Sequence, residues 1–282
     1  MTETPEPQWL QVHLHLADRT SGERLAVRDL APALAILEAN GTVASWHYLR
    51  KGDRWRLRYL PPHKDDTDAT ITAMDAALER CRTTGMITGW TVVIYEPETH
   101  AFGGAEGMEA AHRLFHQDSQ QVMSYLHAIE AGELDDQRSE LSVLLAAAMM
   151  RGAGLDWYEI GDTWAKIGTN RPTDRDTRAS TTLRNAAGIL LTSDTNPTSG
   201  LIDGGPLAFA EQWLFYFTDL GRTLRTLTDD GRLQRGLRSV LAHHYLFHAN
   251  RLGLSHQQQA LLAAAAADTV LELLPDQKAA AS

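Results

Sequence analysis

Residues 43–60, VASWHYLRKGDRWRLRYL, hold two runs rich in β-branched and aromatic residues, separated by a short Lys-Gly-Asp break. Such runs with turn chemistry between them read as the two strands of a hairpin. In the second run Arg54, Arg56 and Arg58 alternate with Trp55, Leu57 and Tyr59. A period of two sends the guanidinium groups to one face of the strand and the apolar groups to the other. The flanks have the same character. WLQVHLHL (9–16) alternates, setting Val12, Leu14 and Leu16 opposite Gln11, His13 and His15, and RDLAPALAILEAN (28–40) has a helical pattern with Gly41 as its stop. After the hairpin, TITAMDAALERCRTTG (70–85) reads as an amphipathic helix and ITGWTVVIYE (87–96) as a fourth strand. The order β-α-β-β-α-β is the ferredoxin-like split unit.

From about residue 105 the pattern changes. EGMEAAHRLFHQDSQQVMSYLHAIEA, SELSVLLAAAMMRGAG, WYEIGDTWAKIG, TRASTTLRNAAGILLT, LAFAEQWLFYFTDLGRTL, LQRGLRSVLAHHYLFHANRLG and HQQQALLAAAAADTVLELL all suit helices. SDTNPTSGLIDGGP (193–206) reads as a long polar loop, and loops of that length are often functional. The expected fold class is therefore α+β: a ferredoxin-like α/β unit over 1–104 followed by a helical unit over 105–282.

Composition narrows the classes of function. The 282 residues are 43% hydrophobic, enough to build a core. The single cysteine, Cys81, excludes an internal disulfide and a cysteine-cluster zinc site. The N-terminus MTETPEPQW lacks a secretory apolar stretch and no long apolar run follows, so the expected location is the cytoplasm, with no membrane partner. A formal net charge of −10 argues against broad binding to nucleic acid.

Several residue groups could carry chemistry. Three like charges on one strand face, Arg54, Arg56 and Arg58, gain from an anionic or polyamide partner; as a bland alternative they form a solvated face paired with surface acids. Glu98 follows the fourth strand through Pro97 and precedes Gly103 and Gly104. Two readings stay open for it: a general acid or base at a strand end, or a helix-start acid interacting with the helix dipole. His112 with His116, and His244 with His248, have the four-residue spacing of a helical metal site. Neither pair has an HExxH context or a third ligand, so no metal is expected. Residues 242–253, AHHYLFHANRLG, concentrate His243, His244, Tyr245, His248, Asn250 and Arg251 on one helix, and histidine and tyrosine can both move protons. No dinucleotide fingerprint, phosphate loop or nucleophile elbow occurs, and no cofactor is expected.

YEPETHAFGG (95–104), running into EGMEAAHRLFHQDS, resembles the C-terminal domain of class I lantibiotic dehydratases, where a tyrosine–acid segment ends in Tyr- or Phe-Gly-Gly before a helix with a similar LFHxDS ending. RWRLRYL resembles the family's HIRLR strand, and HANRLG its terminal HxxNRL helix. The three landmarks come in the family's order and span about 40 to 265. Because 282 residues cannot hold the family's large glutamylation domain, the resemblance implies a stand-alone relative.

Stand-alone relatives carry out two reactions. One eliminates glutamate from glutamylated Ser or Thr to give dehydroalanine or dehydrobutyrine. The other joins two dehydroalanines by a formal [4+2] cycloaddition into a pyridine-type ring, expelling water and the leader peptide. For elimination, the family uses an arginine of the strand, a glutamate and an arginine of the Gly-Gly segment, and a histidine of the last motif. Arg56 and Arg58 match the strand and Glu98 the glutamate, but the second arginine falls on Ala101 and the histidine on Leu246; His248 matches a different position. Those losses favour the ring-forming reaction, with Glu98, Tyr245, His244 and His248 as proton-transfer candidates and Arg54, Arg56, Arg58 and Asn250 as substrate-binding ones. The implied partners are a precursor peptide with its leader, the dehydratase or azoline-forming proteins of such a pathway, and a second copy of the chain. Elimination, and non-catalytic binding of a leader or dehydratase, are the alternatives.

Overall fold

The structure, a computed structural model, describes residues 8–17, 21–51, 54–172 and 179–271. The hairpin turn at Gly52 and Asp53, the C-terminal tail and the first residues of the segment that starts at 177 lie outside these ranges. By Cα proximity the chain forms two compact units, one of residues 1–97 with 115–136, the other of 98–114 with 137–282. No helix among the described residues is long and apolar enough to cross a membrane.

The first unit is built on a four-stranded antiparallel sheet, β1 (Leu10–Leu16), β2 (Ser45–Lys51), β3 (Arg54–Leu60) and β4 (Ile87–Val93), in the order β2-β3-β1-β4. That is the ferredoxin-like arrangement, and the fold class is α+β as the element order implies. Between β1 and β2, helix α1 (Ser21–Leu25) passes through a π-helical stretch, Ala26–Leu30, into α2 (Ala31–Ala39). The helix therefore begins earlier than the pattern at 28–40 indicates. Pro32 supplies no N–H and its ring crowds the preceding turn, so a widened turn ahead of it relieves the clash. Helix α3 (Thr67–Thr83) joins the hairpin to β4.

Register settles which face each residue takes. Val12 pairs with Leu57 and Val92, and Leu57 pairs with Tyr48. Together with Leu14, Trp55 and Tyr59, these side chains, apart from the exposed Val92, are buried on the helical side. Gly22 of α1 lies against Trp55, and Trp90 Nε1 donates to Asp75 of α3 at 2.9 Å. Each fully buried leucine of this core is worth about 1.5–3 kcal/mol of transfer free energy. The edge strand β2 is covered by residues of α4 (Ala105–Glu130) that belong to this unit: Tyr48 N–H donates to Ser119 Oγ at 3.2 Å, and His116 Nδ1 lies 2.8 Å from the Trp46 carbonyl. Side-chain partners for an edge backbone prevent unwanted strand pairing.

The second unit comprises the first part of α4 with α5 (Arg138–Gly152), α6 (Trp157–Thr169), α7 (Thr181–Thr192), α8 (Glu211–Asp229), α9 (Leu237–Leu252) and α10 (His256–Leu271). Helix α5 is buried on all sides from Leu141 to Met150, and α9 nearly so from Val240 to Leu252; helices apolar all round are central ones. Helices α5 and α8 approach closely at two glycines: a Cβ on Gly152 would meet the Thr218 carbonyl, and one on Gly221 the Met149 carbonyl. Helix α6 opens on a capping box between Asp156 and Glu159. The polar segment 193–206 is a series of turns, tied down where Arg151 donates to the Leu191 carbonyl at 2.8 Å and to Thr195 Oγ1 at 3.0 Å.

Candidate functional site

In the first unit the three arginines of β3 share the sheet face opposite α1, α2 and α3, and Phe115 of α4 reaches that face at His47. Register sets Arg54 across from His15, Arg56 from His13 and Arg58 from Gln11 on β1. Arg58 is buried; its Nε donates to Gln11 Oε1 at 2.6 Å and its guanidinium lies 4.6 Å above the Tyr95 ring. Tyr95 in turn packs edge to face with Trp9 and His47, which also meet edge to face. Arg54 is exposed and Arg56 half-buried, and neither side chain makes a hydrogen bond or ion pair with a described residue. His13 titrates below its ordinary 6.5, first because it is partly desolvated and then because Arg56, Arg54, Arg58 and His15 repel a further proton. The lowered value favours the neutral imidazole beside the three guanidinium groups. The face is a block of positive charge on an acidic chain.

In the second unit the stretch 98–104 folds into a turn that opens α4. Phe102 N–H donates to the Glu98 carbonyl, Gly104 N–H to Thr99 and Met108 N–H to Gly104. Gly103 and Gly104 have φ of +89° and +102°, values that a side chain strains, and Cβ atoms there would press on Leu233 and Gln234. Gln234 N–H donates to the Gly103 carbonyl at 2.8 Å and fastens the turn. Phe102, buried, packs edge to face on His243, His244 and Phe247 of α9.

That docking brings the Glu98 carboxylate to His243: Oε2 and Nε2 are 2.9 Å apart, with the side chains 53% and 20% exposed. A partly exposed carboxylate–imidazole pair can take a proton at one group and give one at the other. With Nε2–H turned to Glu98, Nδ1 is the imidazole atom left to exchange protons.

The other candidates on α9 point elsewhere. His244 is buried against Phe102, and His248 against Trp213 and Phe217. Tyr245 is 0% exposed with its ring edge-on to Trp164. Its hydroxyl makes no hydrogen bond of standard geometry. Burial pushes the phenol up to about 12, although Ser142 and Arg171 lie near enough to favour ionisation. Asn250 Oδ1 accepts from Gln259 Nε2 at 2.9 Å and Arg171 Nη2 at 3.5 Å, within a polar knot completed by Arg171 Nε on Gln259 Oε1. His116 is committed to the Trp46 backbone and to Glu38. Among the described residues no three His, Cys, Asp or Glu side chains converge as a metal would need.

Sequence reasoning placed His243 in the dense segment but gave the proton-transfer role to its neighbours. The signal that could have singled it out is a thin polar stripe: Ser239, His243 and Asn250, spaced by four and seven, are the half-buried positions of the middle and end of an otherwise buried helix. Ala101, where the resemblance expects an arginine, offers its carbonyl to the guanidinium of Arg235 at 2.7 Å.

Residues 9–270 match the family described as lantibiotic biosynthesis dehydratase C-term. The chain belongs to this family. Among the solved structures that share the fold are three with related chemistry in their names or full-length coverage. The tRNA dependent lantibiotic dehydratase MibB from Microbispora sp. 107891 is 17% identical with a TM-score of 0.68; the match covers 99% of this chain and 29% of MibB, so the chain spans less than a third of that protein. TsrL is 16% identical over 96% of this chain and 99% of its own, with a TM-score of 0.59. TbtD, a pyridine synthase from thiomuracin biosynthesis, is 14% identical over 94% of this chain and 98% of its own, with a TM-score of 0.66. No curated protein gives a match. At these identities the structural likeness establishes the fold alone.

Proposed function

We propose that this family member matures a ribosomally made peptide by closing a pyridine-type six-membered ring between two dehydroalanines. The observation that carries the reading is the Glu98–His243 pair, 2.9 Å apart, with Glu98 on a turn that has alanine at 101 where the resemblance expects an arginine. The near full-length match to TbtD supports it.

Ring closure asks for little covalent help and much positioning. One dehydroalanine amide loses its N–H proton and gains a proton on oxygen, giving an azadiene. The azadiene adds across the second alkene and two C–C bonds form. The hydroxyl on the former amide carbon then leaves as water, and the leader leaves as an amide, which makes the ring aromatic. In this scheme the Glu98–His243 pair takes the N–H proton and returns protons to the departing groups. Arg54 and Arg56, with charge to spare, hold peptide carbonyls or an acidic leader. Buried as they are, His244, Tyr245 and His248 support the shape of α9, and half-buried Asn250 holds its polar knot with Gln259 and Arg171. The partner is the precursor peptide with its leader, and the reaction takes place in the cytoplasm.

The test is incubation with two peptides side by side. A leader-bearing peptide with two dehydroalanines should lose water and leader. Conversion of only a glutamylated serine peptide would make the chain an elimination enzyme, and binding of both peptides without conversion would make it a non-catalytic partner.

A further inference from the structure

Three arginines stand within seven positions beside the Glu98 turn, at 232, 235 and 238. Two of them are neutralised. Arg232 pairs with Glu106 and with Asp230, and Arg238 pairs with Asp162 at 2.9 Å. Arg235 differs: its Nη1 donates to the Ala101 carbonyl at 2.7 Å, and it has no carboxylate partner among the described residues. A neutral carbonyl orients the guanidinium without cancelling its charge. Nε and Nη2, the edge of the fork that matches a carboxylate, are left over.

The position is fixed from both sides. Ala101 lies three residues from Glu98 on the same turn, and the neighbouring Gln234 N–H is bonded to the Gly103 carbonyl. Arg235 also immediately precedes Gly236, the N-cap of α9, which has no side chain to cap the helix. The positive end of a sixteen-residue helix adds to the pull on an anion there. The one carboxylate residue of this turn, Glu98, is turned to His243.

We propose that Arg235 binds a carboxylate of the peptide substrate and thereby holds the reacting segment beside Glu98 and His243. The inference rests on the reading of the chain as a peptide-maturation enzyme and adds the chemistry by which the peptide is held. A charge-assisted, bidentate pair of this kind corresponds to roughly tenfold or more in affinity. Two sources present the same group: an acidic residue of the leader, or a glutamyl group esterified to serine.

Fluorescence anisotropy with three labelled peptides distinguishes the sources without requiring turnover. The first carries two dehydroalanines behind a leader containing Asp and Glu. In the second, those acids are replaced by Asn and Gln. The third keeps the neutral leader and carries glutamate on one serine. The wild-type chain should bind the first or the third about tenfold more tightly than the second. Arg235→Gln should abolish that difference, Arg235→Lys should keep part of it, and both variants should melt at the wild-type temperature. The tighter of the two acidic peptides names the source. Equal binding of all three peptides, or a preference that survives Arg235→Gln, would overturn the proposal. A preference that is lost in Arg235→Gln, with no conversion of any peptide by the wild type, would sustain it while refuting the enzymatic reading.

Discussion

The Glu98 carboxylate and the His243 imidazole meet at 2.9 Å because Phe102, four residues beyond Glu98, is buried against the same histidine. The hydrogen bond joins residues 145 positions apart, and the Phe102–His243 ring contact holds the turn to the helix beside it. The pair is partly exposed, unlike the three α9 residues that sequence reasoning ranked above His243, namely His244, Tyr245 and His248.

Replacing either member should act on turnover. Glu98→Gln and His243→Gln should each lower kcat by about a hundredfold or more, with KM and melting temperature nearly unchanged. The double variant should be about as slow as the slower single one, because the two groups act as a unit. Steady-state kinetics on the dehydroalanine peptide would measure this. Single variants with wild-type kcat would remove the pair from the chemistry.

The turn itself should be sensitive. Gly104→Ala places a side chain at φ +102° with Gln234 at 2.7 Å, and should cost about 1–3 kcal/mol in urea unfolding. Because Glu98 rides on this turn, kcat should fall along with stability. Gly132, with φ of +73° and open space around it, serves as the comparison: alanine there is strained but meets no neighbour, so kcat should not change.

His13 reports on the basic face. Its pKa lies below the ordinary 6.5, so as pH falls through 6.5 the unfolded chain takes up a proton before the folded one does. Its contribution to stability is therefore held above about pH 6.5 and lost as pH drops below it. NMR titration should show the depressed value in the free protein. Adding an acidic peptide should raise it, since neutralising Arg54 and Arg56 lifts part of the repulsion. An unchanged titration at saturating peptide would place the ligand elsewhere.

Tyr245 makes the opposite statement at high pH. With the phenol pushed up from 10 to about 12, the unfolded chain loses its proton first. Stability should be unaffected below about pH 10 and fall between 10 and 12, by roughly 2–3 kcal/mol from this residue. Tyr59 is raised to about 12 as well, first by desolvation and then by Asp75, and adds in the same direction. Tyr245→Phe should flatten the alkaline limb of the stability curve. Because the hydroxyl lacks a hydrogen bond of standard geometry, its removal should change neutral-pH stability by less than about 1 kcal/mol.

Much of the fold was legible because strands with one buried face must alternate, and the alternation of Val12 and Leu14 with His13 and His15 carries over to Trp55 and Leu57 with Arg54 and Arg56. What escaped had no period to read. The π-helical stretch ahead of Pro32 follows from sterics in a buried segment, not from a hydrophobic pattern. That His116 and Ser119 serve the backbone of β2 depends on which edge α4 covers, a matter of tertiary packing. The site was half legible. Glu98 could be located from its place after β4, but on α9 an almost wholly apolar environment erases the contrast among His243, His244 and His248. Only docking Phe102 onto the helix shows which one faces the carboxylate. Arg235 gave no sequence signal, because its neighbours Arg232 and Arg238 look alike until their acids are in place.

Ring closure of the proposed kind expels an amide oxygen as water, so labelling that oxygen follows the reaction itself. A leader-bearing peptide with two dehydroalanines, carrying heavy oxygen at the amide carbonyl that becomes part of the ring, is incubated with the wild-type chain. Mass spectrometry then follows the label. The expected result is a leaderless aromatic product without the heavy oxygen, with heavy water released in equal amount. A product that keeps the label, or a peptide that keeps its leader and both alkenes, would contradict it.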